Sequence, residues 1–131
     1  MAEKSPSIDQ WLEEAKADPQ AGKVGMYLAH NGVVRGDAKE VVRQLGDDTR
    51  AVTGMDFSYD AEKVEAAVAE AKTYPGIYYV RVWLNSGHLE VGDDIMKVLV
   101  GGDIRERTID GLIKLVRTIK TTCVVEDEVR G

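Results

Sequence analysis

Arg35, Arg105 and Lys120 are the residues whose types and settings point to chemistry, because each stands at the end of a regular run. Arg35 closes Val33-Val34-Arg35, where a strand-like stretch enters a loop, and a rigid strand end can present a side chain to a ligand. Beside Gly36 and Asp37, the same arginine could simply solvate that loop. Arg105 follows Gly101-Gly102-Asp103 at the start of a helical pattern. Free backbone amides and the helix dipole favour an anion there, and a guanidinium would complete a phosphate site by bidentate contacts. A solvated salt bridge with the adjoining Glu106 is the plainer alternative. Lys120 ends the same helical pattern, where dipole complementarity alone accounts for a lysine. An amine acting as base or nucleophile needs a pKa lowered by burial or by a cationic neighbour, a part open to Arg105. Beyond Lys120 a strand-like run, Thr121-Thr122-Cys123-Val124-Val125, stops in Glu126-Asp127-Glu128.

Other reactive side chains are few. Cys123 is the single cysteine, which excludes an intrachain disulfide and a cysteine-based zinc cluster and agrees with a reducing compartment. Its apolar setting favours a buried, inert thiol over a reactive one. His30 and His88 make no metal signature, and His30 could serve as a base or as a packing residue. The net charge of -6 disfavours nucleic acid and anionic membrane as partners, so any anion site must be built locally. No apolar run approaches the ~20 residues that span a bilayer, and the first seven residues lack a signal-peptide centre, so a cytoplasmic protein is expected.

The elements that must position these residues follow from periodicity. With 131 residues, 44% hydrophobic and 31% charged, the chain suits one domain over residues 1–131. Ser7-Ile8-Asp9-Gln10 has the form of a capping box, and Ile8, Trp11, Leu12 and Ala15 make the stripe of a first helix ended by Asp18-Pro19. Residues 24–29 alternate as a strand closing at Asn31-Gly32, and residues 36–50 read as a loop. A strand over residues 51–57 leads to Asp60, which caps a helix with Val64, Ala67, Val68 and Ala71 inward until Tyr74-Pro75-Gly76 stops it. Residues 77–84 and 95–100 read as neighbouring strands, with Asn85-Ser86-Gly87 and Gly92-Asp93-Asp94 as turns. A helix follows over residues 103–120 with Ile109, Leu112, Ile113, Val116 and Ile119 on its core face. The resulting order favours an α+β fold with a mostly antiparallel sheet packed with helices over a doubly wound one.

Three pieces together resemble one family, the large catalytic subunit of molybdopterin synthase, the MoaE family. Gly32-Val33-Val34-Arg35 matches a Gly-x-Val-Arg motif, and Gly87-His88-Leu89-Glu90-Val91-Gly92-Asp93 matches its Gly-x-Leu-x-x-Gly-Asp/Glu turn between strands. Arg105 and Lys120 keep the spacing of an arginine before a helix and a lysine at its end, and Glu62-Lys63 falls where the family commonly has Glu-Lys. The resemblance extends over residues 22–128, with a length change in the loop.

The resemblance implies a hammerhead-like α/β fold, a homodimer, and a small ubiquitin-like sulfur-carrier partner whose chain ends in Gly-Gly. The carrier's thiocarboxylate would give sulfur to cyclic pyranopterin monophosphate, a pterin phosphate, forming molybdopterin with no metal or other cofactor. Lys120 is then the residue of sulfur transfer, Arg35 and Arg105 the holders of the phosphate, and His30, where the family tends to have an aromatic ring, a packing residue. Two departures stand against this pattern. Ile104 replaces a histidine just before the arginine, and Glu126-Asp127 stands where the family has Trp-Lys, so one expected cation becomes an anion. A charge reversal a few ångströms from a bound anion costs on the order of a few kcal/mol at an effective dielectric of ~20. Lys114, Arg117 and Arg130 are the cations available to compensate. A non-catalytic binding or scaffold protein on the same fold is the second reading, and a small α+β dimerisation module of unknown ligand the third.

Overall fold

A computed structural model describes residues 4–37 and 51–131. Helix α1 spans Ile8–Lys16, and the Ser7 hydroxyl accepts the Gln10 amide at 3.2 Å as the capping box requires. Its stripe buries Trp11 and Ala15 against Leu99, with Tyr27, Tyr79 and Trp83 around them. Six strands follow, interleaved with two more helices: β1 Met26–Val33, β2 Val52–Tyr59, α2 Ala61–Ala71, β3 Ile77–Leu84, β4 Gly87–Glu90, β5 Asp94–Gly102, α3 Arg105–Thr118 and β6 Val124–Arg130. A single π turn, Ile119–Cys123, joins α3 to β6.

The strands form two three-stranded antiparallel sheets, in the orders β1-β5-β3 and β4-β2-β6. Central β5 is buried on both faces: Leu99 meets α1, while Met96, Val98 and Val100 join the main core with Met55, Phe57, Leu89, Leu115 and Ile119. The fold class is therefore the α+β, antiparallel one expected, although the sheet is divided. Among the described residues no helix is long and apolar enough to cross a membrane.

Four local expectations are corrected. Gly87-His88-Leu89-Glu90, expected from the resemblance as part of a turn between two strands, is strand β4, carried by one fully buried side chain, Leu89. Only Val91-Gly92-Asp93 turns the chain, with Gly92 at φ 95°. Asn31-Gly32, expected to close the first strand, lies inside it, and the Asn31 amide reaches Asp94 Oδ1 at 3.0 Å. The last strand is Val124–Arg130, so the acidic block is paired strand and not its end.

The fourth correction concerns α3, whose buried residues are Thr108, Gly111 and Leu115, with Leu112 and Val116 packed at the edge of the core. Ile109 and Ile113, expected inside, are exposed. The helix turns its small residues to the sheet because it lies close to it: a Cβ on Gly111 would come within 2.7 Å of Ile77 Cδ1. The greater part of the expected loop, residues 38–50, lies outside the described residues.

Candidate functional site

Ile119 and Cys123 anchor the π turn by burying their side chains, which leaves Lys120, Thr121 and Thr122 exposed between them. The last carbonyls of a helix lack partners within it. Here Thr121 Oγ1 donates to Arg117 O at 2.8 Å and Thr122 Oγ1 to Thr118 O at 2.6 Å, which fixes the turn's shape. The two threonines thereby hold the backbone that carries Lys120.

Strand alternation decides which carboxylate Lys120 meets. Glu126 pairs in register with buried Phe57, and Asp127 with exposed Asp56. Glu126 therefore turns inward, and its Oε1 lies 3.8 Å from Lys120 Nζ. Asp127, counted from the sequence as the replacement for the family's second lysine, points to the open face, where Asp56 also meets His88 Nδ1 at 2.8 Å. The anion beside Lys120 is thus Glu126, which counting by two along the strand could have found once its start was known.

His30 lies on the β1 face that turns toward α3. Its Nε2 is buried and has no hydrogen-bond partner among the described residues. Burial first, and then the positive charge of Lys120, hold the imidazole below the ordinary histidine range, so it is neutral near pH 7. Sequence reading assigned His30 to packing; that the charge of Lys120 acts on it follows from how α3 crosses β1, which no local pattern records.

Arg35 is exposed two residues beyond β1, with its Nε donating to Asp37 O at 3.1 Å. Buried Val34 fixes it, exchanging backbone hydrogen bonds with the β4–β5 turn through Asp93 O and the Gly92 amide. Arg105 is the first residue of α3, exposed and without an ion pair among the described residues. The Asp103 carboxylate already occupies this helix start: it accepts the Ile104 amide at 2.7 Å and pairs with Arg107 at 3.0 Å.

The three cations do not converge within one chain. Arg105 and Lys120 lie at opposite ends of the fourteen-residue α3, about 20 Å apart along its axis at 1.5 Å per residue. Arg35 and Arg105 lie beyond opposite ends of the β1–β5 ladder, which runs from Val33↔Asp94 to Met26↔Gly102. Arg105 of the same chain therefore cannot tune Lys120. Nor are two of the compensating cations at liberty: Lys114 sits 4.4 Å from the centre of the Tyr74 ring, and Arg130 is 3.6 Å from Glu128.

Beside the turn lies an open cleft of about 470 Å³ lined in part by Asp60, Lys63, Thr122 and Cys123. Asp60 faces the α2 start and accepts the Glu62 and Lys63 amides, leaving the Lys63 side chain at the cleft. The Cys123 thiol is buried and contacts Thr122 Oγ1 at 3.4 Å. Among the described residues no group of three or more His, Cys, Asp or Glu is placed to hold a metal.

Solved structures share this fold at low identity. Molybdopterin synthase from Staphylococcus aureus matches with a TM-score of 0.74 at 13% identity, covering 98% of this chain and 88% of that one. Molybdopterin cofactor biosynthesis protein E from Burkholderia multivorans matches at 0.71 and 19% identity, covering 98% and 84%. A protein complex of subunits 1 and 2 of molybdopterin-converting factor from Helicobacter pylori matches at 0.67 and 15% identity, covering 94% and 75%. No curated protein sequence matches the chain significantly. The family model described as MoaE protein matches residues 1–122, and the chain belongs to the MoaE family.

Proposed function

We propose that this chain acts in molybdenum cofactor biosynthesis as the large subunit of a molybdopterin synthase. It would take sulfur from the C-terminal thiocarboxylate of a small carrier and deliver it to cyclic pyranopterin monophosphate. The observation that carries the reading is the placement of Lys120 in a family member: its amine is exposed on a turn pinned by two buried side chains and two threonine hydroxyls. The open cleft beside that turn has room for an extended carrier tail. The two-subunit complex among the similar structures supports a small partner. Arg35 and Arg105 are the proposed phosphate contacts, and their separation favours a homodimer in which Arg105 reaches the Lys120 site of the other copy. Purified protein supplied with thiocarboxylated carrier and precursor should form molybdopterin, and Lys120→Ala should abolish it. Unchanged turnover in that variant removes Lys120 from the mechanism.

A second reading, a non-catalytic binding protein on the same fold, is favoured by Glu126. A carboxylate 3.8 Å from Lys120 offsets the cation that the reaction needs for an anionic substrate. Carrier binding measured beside turnover separates the two: tight binding without product supports the scaffold, and product formation excludes it.

A further inference from the structure

The Glu126 carboxylate has one charged neighbour and no hydrogen bond. Its Oε1 lies 3.8 Å from Lys120 Nζ, beyond the ~2.7–3.2 Å of a hydrogen bond, and among the described residues no donor bonds to either oxygen. An ionised carboxylate accepts on both oxygens, so one left without donors is open to water or to a ligand. The Glu126 side chain is 17% exposed and that of Lys120 41%, so a ligand can reach both where most of the carboxylate is shielded. The rest of the acidic block has no part here: Asp127 turns to the opposite face, and Glu128 is 3.6 Å from Arg130.

The pair thus presents a cationic donor and an anionic acceptor side by side. A ligand that answers both carries an anion and an N–H a short way apart. At a peptide C-terminus a single carbon separates the last amide nitrogen from the thiocarboxylate, which puts them about 3 Å apart at ordinary bond lengths. With Lys120 on the anion and Glu126 on the N–H, the four groups close into one ring of favourable contacts. A phosphate group has oxygens alone and meets Glu126 as a repulsion. The amino-pyrimidinone edge of a pterin also offers N–H groups, but it lies across the ring system from the carbons that receive sulfur.

Deepening the Lys120 reading above, and resting on it, we propose that Glu126 is a specificity residue for the carrier: it accepts the N–H of the carrier's last peptide bond while Lys120 holds the thiocarboxylate. A hydrogen bond to an ionised acceptor is roughly twice as strong as a neutral one, and here it also fixes the direction from which the tail arrives. Glu126 makes and breaks no covalent bond and moves no proton. A second cation in its place would attract a peptide terminus and a free phosphate alike; the carboxylate separates them.

The probe is the carrier of the sulfur-transfer assay in its unreactive carboxylate form, whose oxygens stand in for the thiocarboxylate. Semisynthesis supplies it with the last peptide bond either as an amide or as an ester, which keeps the shape and the terminal charge and removes one N–H. By titration calorimetry the wild-type chain should bind the amide form about tenfold more tightly, as expected for one hydrogen bond to a charged group. Glu126→Leu keeps the bulk of the side chain and should bind the two forms alike, while Glu126→Gln, a neutral acceptor, should retain part of the preference. Equal binding of both forms by the wild-type chain, or an undiminished preference in folded Glu126→Leu, overturns the proposal. If the wild-type chain binds neither form, the carrier reading fails and the proposal falls with it. If the Glu126-dependent preference is present but no molybdopterin is made, the sulfur-transfer reading fails and the contact between Glu126 and the carrier stands.

Discussion

At the scale of single residues, the acidic block divides into side chains with different neighbours. Glu126 and Asp127 are adjacent in sequence, yet one turns toward Lys120 and the other toward Asp56. Replacing Glu126 by Gln should strengthen binding of an anionic ligand at Lys120 roughly three- to tenfold, a Coulomb effect discounted for the exposure of the pair. Asp127→Asn should leave that affinity unchanged. A titration of the pterin phosphate or the carrier against both variants reads the difference, and equal effects would show that the inward–outward assignment is wrong. The ion pair itself contributes little to stability, since exposed pairs are worth about 0–1 kcal/mol.

At the scale of elements, α3 shows how a helix can be legible in place and illegible in orientation. Its boundaries and the arginine and lysine at its ends could be read from period and composition. Its buried face could not, because Ile109 and Ile113 have the apolar character of core residues while Thr108 and Gly111 do not. The preference for small residues arises from the approach of Ile77, which lies far away in sequence. Gly111→Ala should therefore destabilise by about 1–3 kcal/mol through overpacking, although alanine is the better helix former by ~1 kcal/mol. Leu115→Ala, fully buried, should cost about 2–5 kcal/mol, and Ile113→Ser less than about 1 kcal/mol. Urea unfolding of the three variants checks the order. Strand β4 was missed for a related reason: its four residues contain one apolar core side chain and begin with glycine, so only pairing with β2 identifies it. The capping residues Ser7 and Asp60 were legible because a cap is a local event.

At the scale of the whole molecule, the opposed placement of Arg105 and Lys120 makes the proposed homodimer a mechanistic claim. If the Arg105 that serves a site comes from the other copy, inactive Arg105→Ala and Lys120→Ala chains can rescue one another. Subunit exchange in an equal mixture then yields mixed dimers with one intact site, and about a quarter of wild-type turnover should return. No recovery after exchange, with mixed dimers verified by mass, would place both residues in service of the same chain or outside the reaction. The sequence suggested these cations one by one; their separation became visible only when the antiparallel β1–β5 ladder and the span of α3 were known.

The π turn Ile119–Cys123 also acts as a reading frame for the strand after it. Side chains of β6 alternate between faces, so removing one residue from that turn would invert the whole strand. Val125 and Asp127 would then turn to the core, and Glu126 and Glu128 to solvent. Which carboxylate stands beside Lys120 is therefore written in the length of a turn as much as in the letters that follow it.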